Sequence, residues 1–198
     1  KSPWPPGSTA AENGLPPDPA HYTHSYIWIK KKGFERLDPM VNTRPDKREI
    51  KMHGMELPVV HQLQKRFPDH DIYVIKHGPS GRTLFNDWKP ARTNALYDRF
   101  LDFYREGMAQ LSAEYPAVRV VGFYWDQGES DGPQADKYGE NLTRFIAKLR
   151  EDTKLPGLKV FVRKHLFPGG AMDKIIAGQK AVAAKVPHCY LLDIDRGS

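Results

Sequence analysis

The sequence predicts an α/β fold built on a mainly parallel sheet, and two observations carry the prediction. Short runs of β-branched and aromatic residues alternate with longer segments whose apolar residues recur at helical spacing, the grammar of a sheet covered by helices. The apolar run from Val118 to Trp125 then breaks without a gap into Asp126-Gln127-Gly128-Glu129-Ser130-Asp131. A buried strand that delivers polar groups to its carboxyl end does this, and open α/β sheets bind ligands at that edge.

Taken in order, residues 1 to 25 carry Pro3, Pro5, Pro6, Pro16, Pro17 and Pro19 with Gly7 and Gly14, which rule out a continuous helix or a central strand and predict an arm lying on a surface. Tyr26 to Ile29 is a short strand. A lysine-rich turn and Phe34 to Leu37 complete a hairpin, expected at the periphery. From Glu56 to Phe67, Leu57, Val60, Leu63 and Phe67 mark a helix that Pro68-Asp69 ends. Asp71 to Lys76 is a strand, followed by the polar, glycine-rich loop His77-Gly78-Pro79-Ser80-Gly81-Arg82-Thr83. Tyr97, Phe100, Leu101, Tyr104, Met108 and Leu111 form one apolar stripe of a helix. After the strand ending at Trp125, Tyr138, Leu142, Phe145, Ile146 and Leu149 mark another helix. A strand from Leu158 to Val162, a helix from Met172 to Val186 and a strand from Cys189 to Ile194 follow. Loops 77–90, 126–134 and 163–170 should therefore gather at one sheet edge.

Composition narrows the class. With 198 residues, 39% of them hydrophobic and 27% charged, the chain suits one globular domain rather than a disordered or fibrous protein. The formal charge of +6 would favour acidic partners, but basic residues are scattered among the acids. The densest basic stretch, Lys30 to Lys32 with Arg44, Lys47, Arg48 and Lys51, reads as solvated loop charge, with an acidic-ligand patch as the alternative. Nucleic acid is not an expected partner, because no zinc-finger spacing, aromatic RNA-binding signature or long basic helix accompanies the charge. No apolar run approaches the roughly 20 residues that span a bilayer, so no membrane partner is expected. The single cysteine, Cys189, cannot form an internal disulfide and reads as core.

At the predicted edge, Gly78 and Gly81 can bring backbone N–H groups close to a ligand, and Gln127 offers an amide donor beside them. Donors aimed at a developing oxyanion are worth roughly 3 kcal/mol each in catalysis. The alternative is that the glycines only serve a turn and Gln127 only caps a helix; the residues alone leave both open. Gly128-Glu129-Ser130-Asp131-Gly132 also fits the G-x-S-x-G elbow of serine hydrolases. Its context is poor, because Gly132-Pro133 intervenes where a helix should start, and His188 precedes a strand, at the wrong end of the sheet. Ser130 and Asp131 fit better as turn or helix-capping residues. His77 and His165 lie at predicted carboxyl ends of strands, where a ligand contact and a structural role are both open. No i, i+4 histidine pair with a glutamate suggests a metal.

The order Lys76-His77-Gly78-Pro79-Ser80-Gly81-Arg82-Thr83-Leu84 with Asp87-Trp88, then Trp125-Asp126-Gln127-Gly128-Glu129-Ser130-Asp131, resembles the second and third blocks of SGNH-type carbohydrate esterases, in particular the sialate O-acetylesterase and acetylxylan esterase group. The helix Tyr138 to Arg150, Gly178-Gln179 and the strand at Leu191-Leu192-Asp193 fall where that family has its equivalents. The resemblance implies a three-layer α/β/α, flavodoxin-like SGNH hydrolase that removes acetyl groups from carbohydrate through a serine acyl-enzyme. It implies neither cofactor nor metal, and it favours an extracellular or periplasmic location. By the same resemblance Gly81 and Gln127 form the oxyanion hole, Glu129 is a buried supporting acid with Arg82 as a possible partner, and Arg82, Trp88 and Trp125 face the sugar. For the two tryptophans a core role is equally open.

Two departures stand beside the matches. The family places its serine in a Gly-Gln-Ser-Asn turn after a first strand, and its aspartate and histidine in an Asp-x-x-His motif after the last one. Neither motif occurs between Lys1 and Ser198, and Ser2 and Ser8 lack the strand and glycine turn that a nucleophile needs. Residues 1–198 are therefore expected to form a single SGNH hydrolase-like domain without the first strand and the C-terminal catalytic loop. A non-catalytic carbohydrate-binding relative is the alternative, and a flavodoxin-like phosphate binder is a third possibility, weakened because no glycine-rich loop runs straight into a helix.

Overall fold

In the computed structural model, residues 15–16, 18–39, 54–90, 95–165 and 168–193 are described. The first half of the predicted arm, Ser2, Ser8, Ile194 and the basic residues Arg44, Lys47, Arg48 and Lys51 lie outside them. The chain divides into two compact units, Lys1–His77 with Phe103–Glu114, and Gly78–Asp102 with Tyr115–Ser198.

The first unit is built on a three-stranded mixed sheet. β1 (Ser25–Ile29) is its centre, antiparallel to β2 (Gly33–Arg36) and parallel to β3 (Ile72–Val74). The hairpin expected at the periphery thus supplies the central strand of its own sheet. β1 can do so because Ile27 is buried, while Tyr26 stacks on Tyr73 of β3 with ring centroids 4.8 Å apart. α1 (Glu56–Arg66) ends where expected and buries Leu57 and Val60 against Leu15, Tyr22 and Leu37. Tyr22 sits in a turn of 3-10 helix over Pro19–Tyr22, donates its hydroxyl to the Pro16 carbonyl at 3.1 Å, and has its pKa pushed up by burial to about 12.

The second unit holds a fully parallel sheet in the order β4 (Phe123–Trp125), β5 (Val160–Arg163), β6 (Cys189–Leu192). Its helices are α3 (Tyr138–Thr153) and α4 (Ala171–Lys185). α2 (Leu96–Glu114) contributes its residues through Asp102 to this unit and the rest to the first. The eight-residue run at Val118 narrows to three paired residues, because pairing starts only at Phe123 opposite Val160, and Val121 is left exposed. The core gathers Tyr97, Phe100, Phe123, Trp125, Phe145 and Trp88, with Trp125 and Phe145 at 4.5 Å between centroids. Phe145 is fully buried, and truncating such a side chain costs about 3–5 kcal/mol. α3 and α4 cross at two glycines: a Cβ on Gly178 would stand 3.0 Å from the Gly139 nitrogen and one on Gly139 3.2 Å from the Gly178 Cα, so a side chain at either position would press the two backbones apart.

The result is a mixed α/β fold with a parallel sheet and covering helices, as the alternation of patterns predicts. Among the described residues no helix is long and apolar enough to cross a membrane.

Candidate active site

The carboxyl ends of β4 and β5 open into two loops, and the glycine-rich loop 78–90 meets them there within the second unit. Its geometry is set locally. Thr83 donates its N–H and its hydroxyl to the Asp87 carboxylate, both at 2.9 Å, and its carbonyl accepts the N–H groups of Asp87 and Trp88 at 3.0 Å. That knot lowers Leu84 and Trp88 into the core and leaves Gly81 at the surface. Gly81 has φ +69°, where L side chains are disfavoured, although a Cβ there would meet nothing within 4 Å.

Asp131 ties this loop to the loop after β4. The residue is 2% exposed, and its carboxylate accepts the N–H of Leu84 at 2.8 Å, the N–H of Phe85 at 3.0 Å and the amide of Gln127 at 2.5 Å. Three donors on one buried carboxylate satisfy the charge that burial would otherwise penalise. Gln127 Nε2 also donates to the Arg82 carbonyl at 2.9 Å. Both amide protons thus go to acceptors, which fixes the orientation of the amide and leaves Oε1 buried without a partner among the described residues.

Beside Gln127 lies a charged cluster. Arg163, at the end of β5 and 6% exposed, donates Nε to Asp126 at 2.5 Å and Nη2 to Glu129 at 3.2 Å, while Nη1 is buried without a partner among the described residues. His165 Nε2 stands 3.9 Å from the same Glu129 oxygen. The Asp126 carboxyl, although 36% of its side chain is exposed, is raised above the ordinary range chiefly by the desolvation its neighbours impose; Arg163 only partly offsets this, and the charge of Glu129 adds to the rise.

Underneath runs a buried polar network. The Tyr138 hydroxyl, at the start of α3, accepts from Trp125 Nε1 at 3.2 Å and donates to the Gln127 carbonyl at 2.6 Å. Burial drives its pKa far up. Gln179 of α4 accepts the His165 N–H at 2.9 Å and donates to the Gln127 carbonyl at 3.4 Å.

With this arrangement in view, comparison with known proteins decides the family. The profile of a family described as carbohydrate esterase, sialic acid-specific acetylesterase, matches residues 7–195. The chain belongs to that family. Its resemblance to carbohydrate esterases, read from Gly81-Arg82 and Trp125-Asp126-Gln127-Gly128-Glu129, is thereby confirmed. The chain is 34% identical over 103 residues to a probable carbohydrate esterase from Arabidopsis thaliana. That match spans 50% of this chain and 36% of the relative, so the aligned part is about a third of the relative's length. The crystal structure of the same Arabidopsis protein superposes with a TM-score of 0.74 at 22% identity, covering 90% of this chain and 71% of that one. A carbohydrate acetylesterase from Xanthomonas citri superposes with a TM-score of 0.58 at 13% identity, covering 95% of this chain and 46% of that one. These two likenesses establish the fold, which is that of the SGNH-like carbohydrate esterases.

For this family member, the structure brings Gly81, Arg82, Gln127 and Glu129 to one edge, and it corrects two expectations about their surroundings, the burial and pairing of Glu129 and the placement of the tryptophans. Glu129 is not buried: its side chain is 52% exposed and its partner is Arg163 rather than Arg82, which pairs with Asp87 at 3.6 Å. The buried acid is Asp131, two residues on. Trp88 and Trp125 do not face a sugar; they are 5% and 3% exposed and pack edge-to-face at 5.3 Å, leaving no ring face for stacking. Ser130 lies in the turn that the Asp131 N–H closes on the Gly128 carbonyl at 3.1 Å, and a 3-10 helix over Gly132–Lys137 separates it from α3, so it is no nucleophile elbow. His77 packs on Phe103 in the first unit, at 5.2 Å between ring centroids. Asp126, Arg163 and Tyr138 were not marked as site residues by the sequence; a charged residue closing an apolar strand, as Arg163 does, is the signal that could have found one of them.

Proposed function

We propose that this chain carries part of the active site of a carbohydrate esterase that removes O-acetyl groups through a serine acyl-enzyme. The observation that carries the proposal is the 2.9 Å hydrogen bond from Gln127 Nε2 to the Arg82 carbonyl, which holds the Arg82-Thr83 peptide, one residue after Gly81, and the Gln127 amide at one place. In the proposed reaction a serine hydroxyl attacks the acetyl carbonyl, the sugar oxygen leaves with a proton, and water then releases acetate from the acyl-enzyme. The negative charge of each tetrahedral intermediate is stabilised by the Gly81 N–H and by Gln127. An oxyanion accepts a hydrogen bond more strongly than the neutral Arg82 carbonyl, so Nε2 exchanges that partner for the intermediate while Asp131 keeps hold of its other proton. Arg163 keeps Glu129 at the rim, where the acid supports the loop and Arg82 contacts the acetylated carbohydrate.

The test is steady-state hydrolysis of an acetylated saccharide by the full-length protein and by Gln127→Ala. A fall in kcat of about 100-fold or more with little change in KM supports the oxyanion role. Unchanged kcat in a folded Gln127→Ala protein contradicts it.

A further inference from the structure

Gln179 is 1% exposed in the middle of α4, at a helix position whose neighbour one turn earlier is the fully buried Ile175. An amide there costs desolvation unless both of its ends are paired, and an aliphatic side chain would fill the space without that cost. Both ends are paired. Oε1 takes the N–H of His165, which follows β5, and Nε2 reaches the carbonyl of Gln127, which follows β4. One buried side chain therefore spans two loops leaving adjacent parallel strands. Gly128 shows how closely these groups are set: a Cβ there would lie 3.0 Å from Ile175 Cγ2, 3.6 Å from Gln179 Nε2 and 3.7 Å from the Tyr138 hydroxyl. The carbonyl that Gln179 and Tyr138 share belongs to the residue whose side chain meets Asp131 and Arg82.

We propose that Gln179 is a positioning residue of the esterase site: it clamps the Gln127 peptide to His165, in the loop that follows Arg163, and so fixes where the Gln127 amide points. The claim rests on the esterase proposal and deepens it, since Gln179 spends Oε1 on the His165 N–H and Nε2 on the Gln127 carbonyl and the Tyr138 hydroxyl, and has neither left for substrate. A misplacement on the order of 1 Å in a catalytic group costs about 100-fold in rate, so loss of the clamp is felt in kcat.

The experiment uses the full-length protein and compares Gln179→Met with Gln179→Glu across pH, with an acetylated saccharide as substrate. Gln179→Met keeps the volume and loses these hydrogen bonds; its kcat is expected to fall about 10- to 100-fold with KM nearly unchanged. Gln179→Glu still accepts from His165, but as a carboxylate it has no proton for the Gln127 carbonyl, and protonation restores one. Its kcat relative to wild type should therefore climb as pH falls into the carboxylate range, while that of Gln179→Met stays flat. Wild-type kcat in both folded variants, or a flat ratio for both, overturns the clamp. If the wild type hydrolyses no acetyl ester, the esterase proposal fails by itself. Hydrogen exchange then decides the clamp: faster exchange at residues 126–131 and at His165 in Gln179→Met supports it, and unchanged exchange at 126–131 overturns it.

Discussion

Asp131 holds the side-chain amide of Gln127 at 2.5 Å from inside the turn that the same chain makes after β4. With the Leu84 and Phe85 N–H groups on the same carboxylate, this contact joins the two loops proposed to form the oxyanion side. Asp131→Asn presents an amide where three donors converge and removes charge-assisted bonds. It should destabilise the fold by about 3 kcal/mol, read as a lower midpoint in urea, and lower kcat together with Gln127→Ala in a non-additive way.

The Gly139–Gly178 crossing makes a sharper packing prediction. Gly178→Ala gains up to about 1 kcal/mol of helix propensity but drives a methyl into backbone atoms at 3.0 and 3.2 Å, which a helix cannot move aside singly. A net loss of about 1–3 kcal/mol is expected in thermal unfolding. Gly157→Ala, where nothing lies within 4 Å, serves as the control and should leave the melting temperature nearly unchanged.

Asp126 gives a pH dependence. Its folded-state pKa is raised, so the folded state holds the proton more tightly than the unfolded chain does. Its contribution is most favourable below the ordinary carboxylate pKa of about 4 and is lost as pH rises through the raised folded value. Asp126→Asn keeps an acceptor for Arg163 without that loss. The stability of the variant relative to wild type should therefore improve from about pH 4 towards neutrality; a difference independent of pH would refute the assignment.

Cys189 is 6% exposed, and burial raises its thiol pKa, with Arg150 only partly offsetting the rise. Native protein should react with a disulfide thiol reagent far more slowly than protein unfolded in guanidinium, and the reaction should quicken with pH as thiolate forms.

The helices were legible from the sequence because each carries one apolar stripe: Tyr138, Leu142, Phe145, Ile146 and Leu149 are all buried on one side of α3. The candidate site was legible only as a strand end, since the break after Trp125 does mark the end of a parallel strand. Roles inside it were not, because they depend on contacts across the chain. Nothing local distinguishes Glu129 from Asp131; the second is buried because the N–H groups of Leu84 and Phe85, more than forty residues earlier, converge on it. The tryptophans misled for a similar reason, since an indole beside a polar motif fits a sugar platform or a core equally well, and Phe145 and Trp88 together place Trp125 in the core. Arg163 was hidden at the end of a strand whose partner, β4, supplies Asp126 from the neighbouring loop.

The most direct test of the central claim is intact-mass and peptide analysis of the full-length protein after reaction with a serine-directed fluorophosphonate, alongside its acetyl ester hydrolysis. The account predicts one labelled serine other than Ser130, and loss of turnover in proportion to labelling. Acetyl ester hydrolysis that persists in a protein carrying no labelled serine would contradict it.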